Sequence, residues 1–121
     1  MHLWELQISS TTIRSLSDFF GNLTNLQDLN LLRCRKLESL PYSFGNLTKL
    51  RYLDISYCNN LTLSRETLGN ICMIKHIDLT GCERIEVLPS QLVHQLSLET
   101  LNLWELKNLT YRLKYLSHSN I

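Results

Sequence analysis

The sequence lacks both a marked excess of charge of one sign and a long apolar run. Twelve lysine and arginine residues stand against eleven aspartates and glutamates among 121 residues. This balance gives no basic surface for nucleic acid or anionic lipid. No run of about 18 apolar residues is present, so we predict no membrane span. The N-terminal stretch, 1–6, lacks the basic and apolar segments of a secretion signal, so we predict a cytoplasmic protein.

The sequence also lacks the spacings that metal sites and common catalytic sites need. Its four cysteines form no C-x-x-C pair and its four histidines are scattered, so we predict no metal site. Neither a G-x-S-x-G nucleophile elbow nor a G-x-x-x-x-G-K-[ST] phosphate-binding loop occurs. We therefore expect no enzymatic activity, no cofactor and no small-molecule substrate.

What the sequence does contain is a repeat of 24 residues. Cysteines recur at this step, and so do three sets of leucine or isoleucine. The sets are Cys34, Cys58 and Cys82; Leu26, Leu50, Ile74 and Leu98; Leu29, Leu53, Ile77 and Leu101; and Leu31, Ile55, Leu79 and Leu103. Units of equal length predict a solenoid, in which each coil buries its apolar edge against the next.

The first part of each repeat predicts a short β-strand. Leu29 and Leu31 alternate with polar residues, so one face of the strand should be buried. Cys34 follows at the end of the strand, and its thiol fits a small apolar space while offering a weak hydrogen-bond donor. We expect Cys34 and its equivalents to be buried and reduced.

The second part of each repeat predicts a helical or 3₁₀ turn on the opposite, convex side. Leu37 and Leu40 are three residues apart, and so are Phe44 and Leu47. The Gly-Asn pair at 45–46 suits the bend that returns the chain to the next strand.

These patterns predict an α/β solenoid of about five coils in a single domain, 1–121, with a parallel sheet on the concave side. The first coil, from Leu3, is one residue short. Apolar residues at both ends lack a polar cap, which indicates either a fragment of a longer array or a partner that covers the ends, and we expect the fragment. We expect 117–121 to be a frayed tail.

The second repeat, from Leu26 to Leu50, reads L-x-x-L-x-L-x-x-C-x-x-L-x-x-L-P-x-x-x-G-N-L-T-x-L, which resembles the leucine-rich repeat. With its cysteine position and the Leu40-Pro41 pair, it is similar to the repeats of plant nucleotide-binding disease-resistance receptors. The resemblance covers about 3–116. It implies recognition of pathogen effectors or altered host proteins, and autoinhibitory contact with other domains of the same receptor. No nucleotide-binding motif is present, so it implies no ATPase activity here.

Two other leucine-rich repeat functions stay open. Substrate adaptors of ubiquitin ligases also favour cysteine at this turn, but they usually lack the Leu40-Pro41 pair and carry an upstream F-box. An extracellular receptor would use the Asn-x-Thr sequons as glycan acceptors. These begin at Asn22, Asn46, Asn60 and Asn108, where the repeat itself produces them.

Outward-facing residues on and beside the strands form the candidate binding surface. Because they do not face the core, we expect their chemistry to be free to vary. Tyrosine, tryptophan and arginine among them are types enriched at binding hot spots. The candidate partner-binding residues are Asp28, Asn30, Arg33, Tyr52, Asp54, Tyr57, His76, Asp78, Asn102 and Trp104. We predict that this wall docks a protein; the alternative is a merely solvated face.

Overall fold

A computed structural model describes residues 3–68, 71–88, 92 and 97–109. Within them lie five three-residue strands: β1 (Glu5–Gln7), β2 (Asp28–Asn30), β3 (Tyr52–Asp54), β4 (His76–Asp78) and β5 (Thr100–Asn102). They form one parallel sheet in sequence order. Each coil therefore advances the chain by one strand, which confirms the predicted solenoid. The expected frayed tail lies outside the described residues.

The strand register follows the sequence repeat. Leu29 pairs with Leu53, and Leu53 pairs with Ile77, across steps of 24 residues. Leu6 pairs with Leu29 across 23 residues. The missing residue of the first coil therefore lies in the connection between β1 and β2, and the inward positions of the sheet stay aligned.

The opposite side of the solenoid carries two 3₁₀ helices, η1 (Asp18–Asn22) and η2 (Tyr42–Asn46), and one helical turn, α1 (Arg65–Leu68). Pro41 precedes η2 with φ −65°, at a place that needs no backbone donor. In the equivalent place before η1, the Ser17 hydroxyl accepts from the Phe19 amide at 3.2 Å. The predicted convex 3₁₀ turns are thus confirmed.

The predicted role of the Gly-Asn pair was wrong. Gly45 and Asn46 are the last residues of η2 and not a separate bend. The equivalent glycine in η1, Gly21, shows the physical reason for the residue type. A Cβ on Gly21 would lie 2.5 Å from the carbonyl oxygen of Ser43 in the next coil, so the glycine permits close approach of η1 and η2.

The core is one continuous cluster that runs the length of the solenoid. Its inward leucines and isoleucines are almost fully buried in the second, third and fourth coils. The rings of Phe20 and Phe44 stack with centroids 6.2 Å apart, and Leu68 and Leu92 occupy the same position in later coils. Leu3 and other apolar residues of the first coil are only partly buried, since that coil has one stacking neighbour.

The repeated cysteines form a ladder of hydrogen bonds between coils. Each buried thiol donates to a backbone carbonyl of the coil before it: Cys34 to Ile8 at 2.8 Å, Cys58 to Leu31 at 3.1 Å, and Cys82 to Ile55 at 2.9 Å. Loss of hydration on burial is the main cause that raises the pKa of Cys58 and Cys82 to about 12. These thiols are free and stay protonated at neutral pH, as expected. No helix in the described part of the chain has the length and hydrophobicity to cross a bilayer.

Candidate functional site

Two columns of side chains project from the strands on the side away from the core. Along each strand the middle residue faces the core, while the first and last are exposed or half-buried. We call these ten residues the sheet face: Glu5, Asp28, Tyr52, His76 and Thr100 in the first column, and Gln7, Asn30, Asp54, Asp78 and Asn102 in the second. Seven of the ten candidate residues from the sequence are thereby brought together.

The sheet face is acidic although the chain as a whole is balanced. It carries the carboxylates of Glu5, Asp28, Asp54 and Asp78, and no lysine or arginine. The negative potential is visible at Tyr52, whose pKa is raised. Partial burial is the largest cause, followed by the charges of the three aspartates, because both disfavour the phenolate.

The second column has a structural task that sequence reasoning missed. Its side-chain oxygens accept hydrogen bonds from backbone amides two residues further on: Asn30 from Leu32 at 2.8 Å, Asp54 from Ser56 at 2.9 Å, and Asp78 from Thr80 at 2.9 Å. Asp54 also accepts from the Ser56 hydroxyl at 2.6 Å. These Asx turns end the strands. The expectation of free variation was therefore wrong at these three positions, because the turn requires a short side chain with an oxygen acceptor.

The first column holds a line of contacts across β3, β4 and β5. The rings of Tyr52 and His76 have centroids 6.1 Å apart and are tilted by 50°. His76 Nδ1 lies 2.8 Å from the Thr100 hydroxyl, and its Nε2 lies 3.8 Å from a Glu99 carboxylate oxygen. His76 is thus held between its neighbours, and Tyr52, at 41 % exposure, is the aromatic side chain that the first column offers to a partner.

A small cavity of about 120 Å³ opens on the sheet face over β1, β2 and β3. Glu5 and Asp28 contribute carboxylates to it, Gln7 and Asn30 contribute amides, and Tyr52 also lines it. Among the described residues, neither Glu5 nor Asp28 makes a side-chain hydrogen bond or an ion pair. The cavity therefore offers acceptor groups beside an aromatic ring.

Beside the sheet face, each coil has one residue in the left-handed region of backbone conformation. These residues follow the strands at the repeat step: Ser10 (φ 58°), Arg33 (61°), Tyr57 (59°), Gly81 (72°) and Glu105 (59°). This position is hard to recognise from sequence, because only one of the five residues is the glycine that such a φ favours.

Four of these residues form what we call the rim ladder: Arg33, Tyr57, Gly81 and Glu105. The Arg33 guanidinium lies 5.7 Å from the centroid of the Tyr57 ring. The ring covers Gly81, where a Cβ would come within 2.5 Å of Tyr57 Cδ1. The Tyr57 hydroxyl donates to Glu105 at 3.4 Å. The structure thus brings the candidate residues Arg33 and Tyr57 into contact with each other.

Two exposed tryptophans flank these surfaces. Trp104, predicted from the sequence, is 55 % exposed and immediately precedes Glu105 of the rim ladder. Trp4 is 54 % exposed and immediately precedes β1. Sequence reasoning missed Trp4, although its place before a strand, equivalent to that of Gln27, could have identified it.

A larger cavity of about 480 Å³ lies on the convex side, between the second and third coils. Pro41, Tyr42 and Thr62 are among the described residues that line it, and Asp18 of the first coil contributes a carboxylate. Sequence reasoning did not predict this cavity. Nowhere in the described ranges do three histidine, cysteine or acidic side chains come together as a metal site would require.

Comparison with known proteins supports the assignment of the fold. Residues 49–71 match the Leucine Rich Repeat family. No curated protein sequence matches the chain. The structure is similar to the leucine-rich repeat ectodomain of the plant membrane receptor kinase GASSHO1/SCHENGEN3 from Arabidopsis thaliana, solved in complex with CASPARIAN STRIP INTEGRITY FACTOR 2, with a TM-score of 0.56 and 21% identity. It is also similar to a leucine-rich repeat protein of Leptospira interrogans, with a TM-score of 0.53 and 20% identity.

The two solved relatives are longer than this chain. The similarity covers 84% of the chain but 15% of the plant ectodomain, and 88% of the chain but 41% of the bacterial protein. At these identities the comparison concerns the fold alone. The repeat match, the five-stranded parallel sheet and the convex 3₁₀ turns agree with one another, and the chain folds as a leucine-rich repeat solenoid.

Proposed function

We propose that this chain is a protein-interaction module that docks a partner on the sheet face and the rim ladder. The observation that carries the proposal is an open sheet face whose carboxylates make no ion pair with any described residue and lie beside the exposed ring of Tyr52. Leucine-rich repeat solenoids typically present such extended concave surfaces for binding.

The side chains of this surface are held in place before a partner arrives. Asx turns orient Asp54 and Asp78, and Thr100 and Glu99 hold His76. Side chains that are already ordered lose less conformational entropy on binding. Tyrosine, tryptophan and arginine are the types that dominate hot spots, and all three are present, with Trp104 at the edge.

We further propose that the module belongs to a cytoplasmic plant immune receptor, in which it recognises an effector, a guarded host protein or other domains of the same receptor. The repeat pattern around Leu40-Pro41 supports this proposal. The four free cysteines, three of them buried, are consistent with a reducing compartment. The reading frame upstream tests it: a P-loop domain is expected. An F-box there would instead favour a ubiquitin-ligase adaptor, and a signal peptide an extracellular receptor.

The sequons supply one observation that favours the extracellular alternative. Asn60 and Asn108 donate their amides to backbone carbonyls of the preceding coil, at 2.9 and 2.7 Å. Asn22 and Asn46 are exposed, with side chains that hydrogen-bond to no other described residue. Intact mass after expression in a secretory host would show whether these two sites accept glycans. Unmodified protein would count against the extracellular reading.

Selection from a random peptide library displayed on phage tests the binding role. The purified chain is the bait, and the Tyr52→Ala/Trp104→Ala variant is a parallel bait. We expect the native chain to enrich peptides that the variant fails to retain. The matched control is Phe19→Ala/Tyr42→Ala, which removes two aromatic residues that are 78 % and 74 % exposed in η1 and η2.

Control and native baits are expected to select the same peptides. If no peptide is enriched on the native chain, or if the enriched peptides bind the Tyr52→Ala/Trp104→Ala variant equally well, this surface is not the docking site. Thermal melts followed by circular dichroism establish that each bait is folded.

A further inference from the structure

We propose that the sheet face recognises an extended, cationic segment of a partner protein, and that one arginine or lysine side chain of that segment occupies the cavity over β1, β2 and β3. This inference rests on the proposed docking function and adds the chemistry of the partner.

The first observation is that negative charge on the sheet face is unbalanced. Two neighbouring cations have other partners: Lys75 lies 3.9 Å from Glu99, and Arg33 lies over the Tyr57 ring. None of the four sheet-face carboxylates makes an ion pair with another described residue. A cationic partner would therefore gain interactions that the free protein leaves unmade.

The second observation is a repulsion that folding does not explain. Asp54 and Asp78 are register partners on neighbouring strands that lie about 5 Å apart, so two side chains of like charge project side by side. Like charges that face each other across strands are destabilising. The Asx turn needs only a side-chain oxygen, and Asn30 supplies one through an amide in the same column. A carboxylate in place of an amide at both positions thus costs stability, and a cationic partner would offset that cost.

The third observation is the composition of the cavity. Glu5 and Asp28 offer unpaired carboxylates, Gln7 and Asn30 offer amide oxygens, and Tyr52 offers a ring. A guanidinium or ammonium group gains from carboxylate acceptors and from an aromatic face at the same time. A neutral side chain lacks the charge that strengthens both interactions, and an acidic side chain would be repelled by the two carboxylates. The lining therefore selects for positive charge.

The spacing of the carboxylates fits an extended segment that crosses the strands. From Asp28, the first residue of β2, to Asp78, the last residue of β4, is two strand spacings across the sheet and two residues along it, or about 12 Å. An extended chain rises about 3.3 Å per residue, so a second basic residue two or three positions after the first reaches the Asp54–Asp78 pair.

Labelled synthetic peptides test this inference directly. The probe is a fluorescein-labelled dodecapeptide of glycine and serine with arginines two or three positions apart. Its matched controls carry citrulline, which keeps the shape without the charge, or glutamate at the same positions. Fluorescence anisotropy measures the Kd. We expect the arginine peptide to bind at least about tenfold more tightly than the citrulline peptide, and more weakly as salt rises from about 50 to 300 mM.

Variants place the binding on the sheet face. Asp28→Asn and Glu5→Gln each remove a charge that bonds to no other described residue, so both variants should fold normally and bind the arginine peptide about threefold to tenfold more weakly. Tyr52→Ala should weaken it by a similar factor. Glu38→Gln, on an exposed residue away from the sheet face, removes the same charge and should leave the Kd within about twofold.

Equal Kd values for the arginine and citrulline peptides would overturn the inference. So would a loss of peptide affinity that is the same in Glu38→Gln as in Asp28→Asn. Self-association of the chain that depends on Asp28 would also overturn it, because the sheet face would then bind a second copy. The phage selection separates this inference from the broader proposal. Enriched peptides that need Tyr52 but carry no excess of lysine or arginine would refute the cationic partner and leave the docking function standing.

Discussion

Replacing Gly81 with alanine should destabilise the solenoid chiefly through its contact with Tyr57. Gly81 has φ 72°, and an added Cβ would lie 2.5 Å from Cδ1 and 2.6 Å from Cε1 of the Tyr57 ring. Both distances are well inside van der Waals contact. Either the ring or the backbone must shift, and the two responses have different costs.

The backbone contribution can be judged from the other coils. A left-handed conformation costs a residue with a side chain about 1–2 kcal/mol, and Ser10 and Glu105 bear that cost with φ values near 60°. The remainder comes from the ring. Tyr57 cannot move away without losing its contact with Arg33 and its hydrogen bond to Glu105, and overpacking of this kind costs about 1–3 kcal/mol. We therefore expect Gly81→Ala to lower the free energy of unfolding by about 2–5 kcal/mol in total.

A double-mutant cycle with Tyr57→Ala separates the two contributions. Urea unfolding followed by circular dichroism gives the free energy of unfolding for each variant. In the Tyr57→Ala background, Gly81→Ala should cost only the backbone contribution of about 1–2 kcal/mol, so the coupling energy should be about 1–3 kcal/mol. If the losses of the Gly81→Ala and Tyr57→Ala variants add to within about 0.5 kcal/mol in the double variant, the Tyr57 ring moves aside without cost and the rim ladder is not a fixed structure.

Two further predictions concern the thiols and the Asx turns. At pH 8, a disulfide reagent should modify the exposed Cys72 rapidly, but Cys58 and Cys82 only when the protein unfolds. A pKa of about 12 leaves only about one in ten thousand of these two thiols as the reactive thiolate. Equal rates of modification for all the thiols would contradict the buried ladder. Asp54→Ala should lower the free energy of unfolding by about 1–2 kcal/mol, since it removes the oxygen that accepts two hydrogen bonds from Ser56. Asp54→Asn should be at least as stable as the native chain in the same urea assay, and a loss equal to that of alanine would show that the turn does not depend on the oxygen.

The repeat step made the sheet predictable, because each inward position must meet its equivalent in the next coil. Leu29, Leu53 and Ile77 carry that information directly, and the observed register follows it. The thiols were predictable for the same reason. A buried position in each coil tolerates few residue types. The recurrence of cysteine at Cys34 and its equivalents therefore predicted that these thiols are buried and donate hydrogen bonds.

Outward-facing positions were less predictable because burial does not restrict them. Asn30 and Asp54 look like ordinary polar surface residues until the backbone amides two residues further on are located. The left-handed position is hidden for a related reason. Arg33 and Tyr57 adopt a positive φ although they are not glycines, so their residue types do not indicate the left-handed backbone. Among the equivalent positions, only Gly81 has the residue type that indicates it.

The sheet face therefore combines two requirements that a sequence does not separate. The turn restricts Asn30, Asp54 and Asp78 to short side chains with an oxygen, which aspartate and asparagine satisfy equally well. The turn therefore does not decide between aspartate and asparagine. At Asp54 and Asp78, which are register partners on neighbouring strands, the chain has aspartate at both positions, and the two like charges disfavour the folded state. Residues retained at a cost to stability are typical of functional sites. If neutralising both carboxylates stabilises the protein and weakens the cationic peptide together, the charge serves binding; if it stabilises the protein and leaves binding unchanged, the pair has no part in recognition.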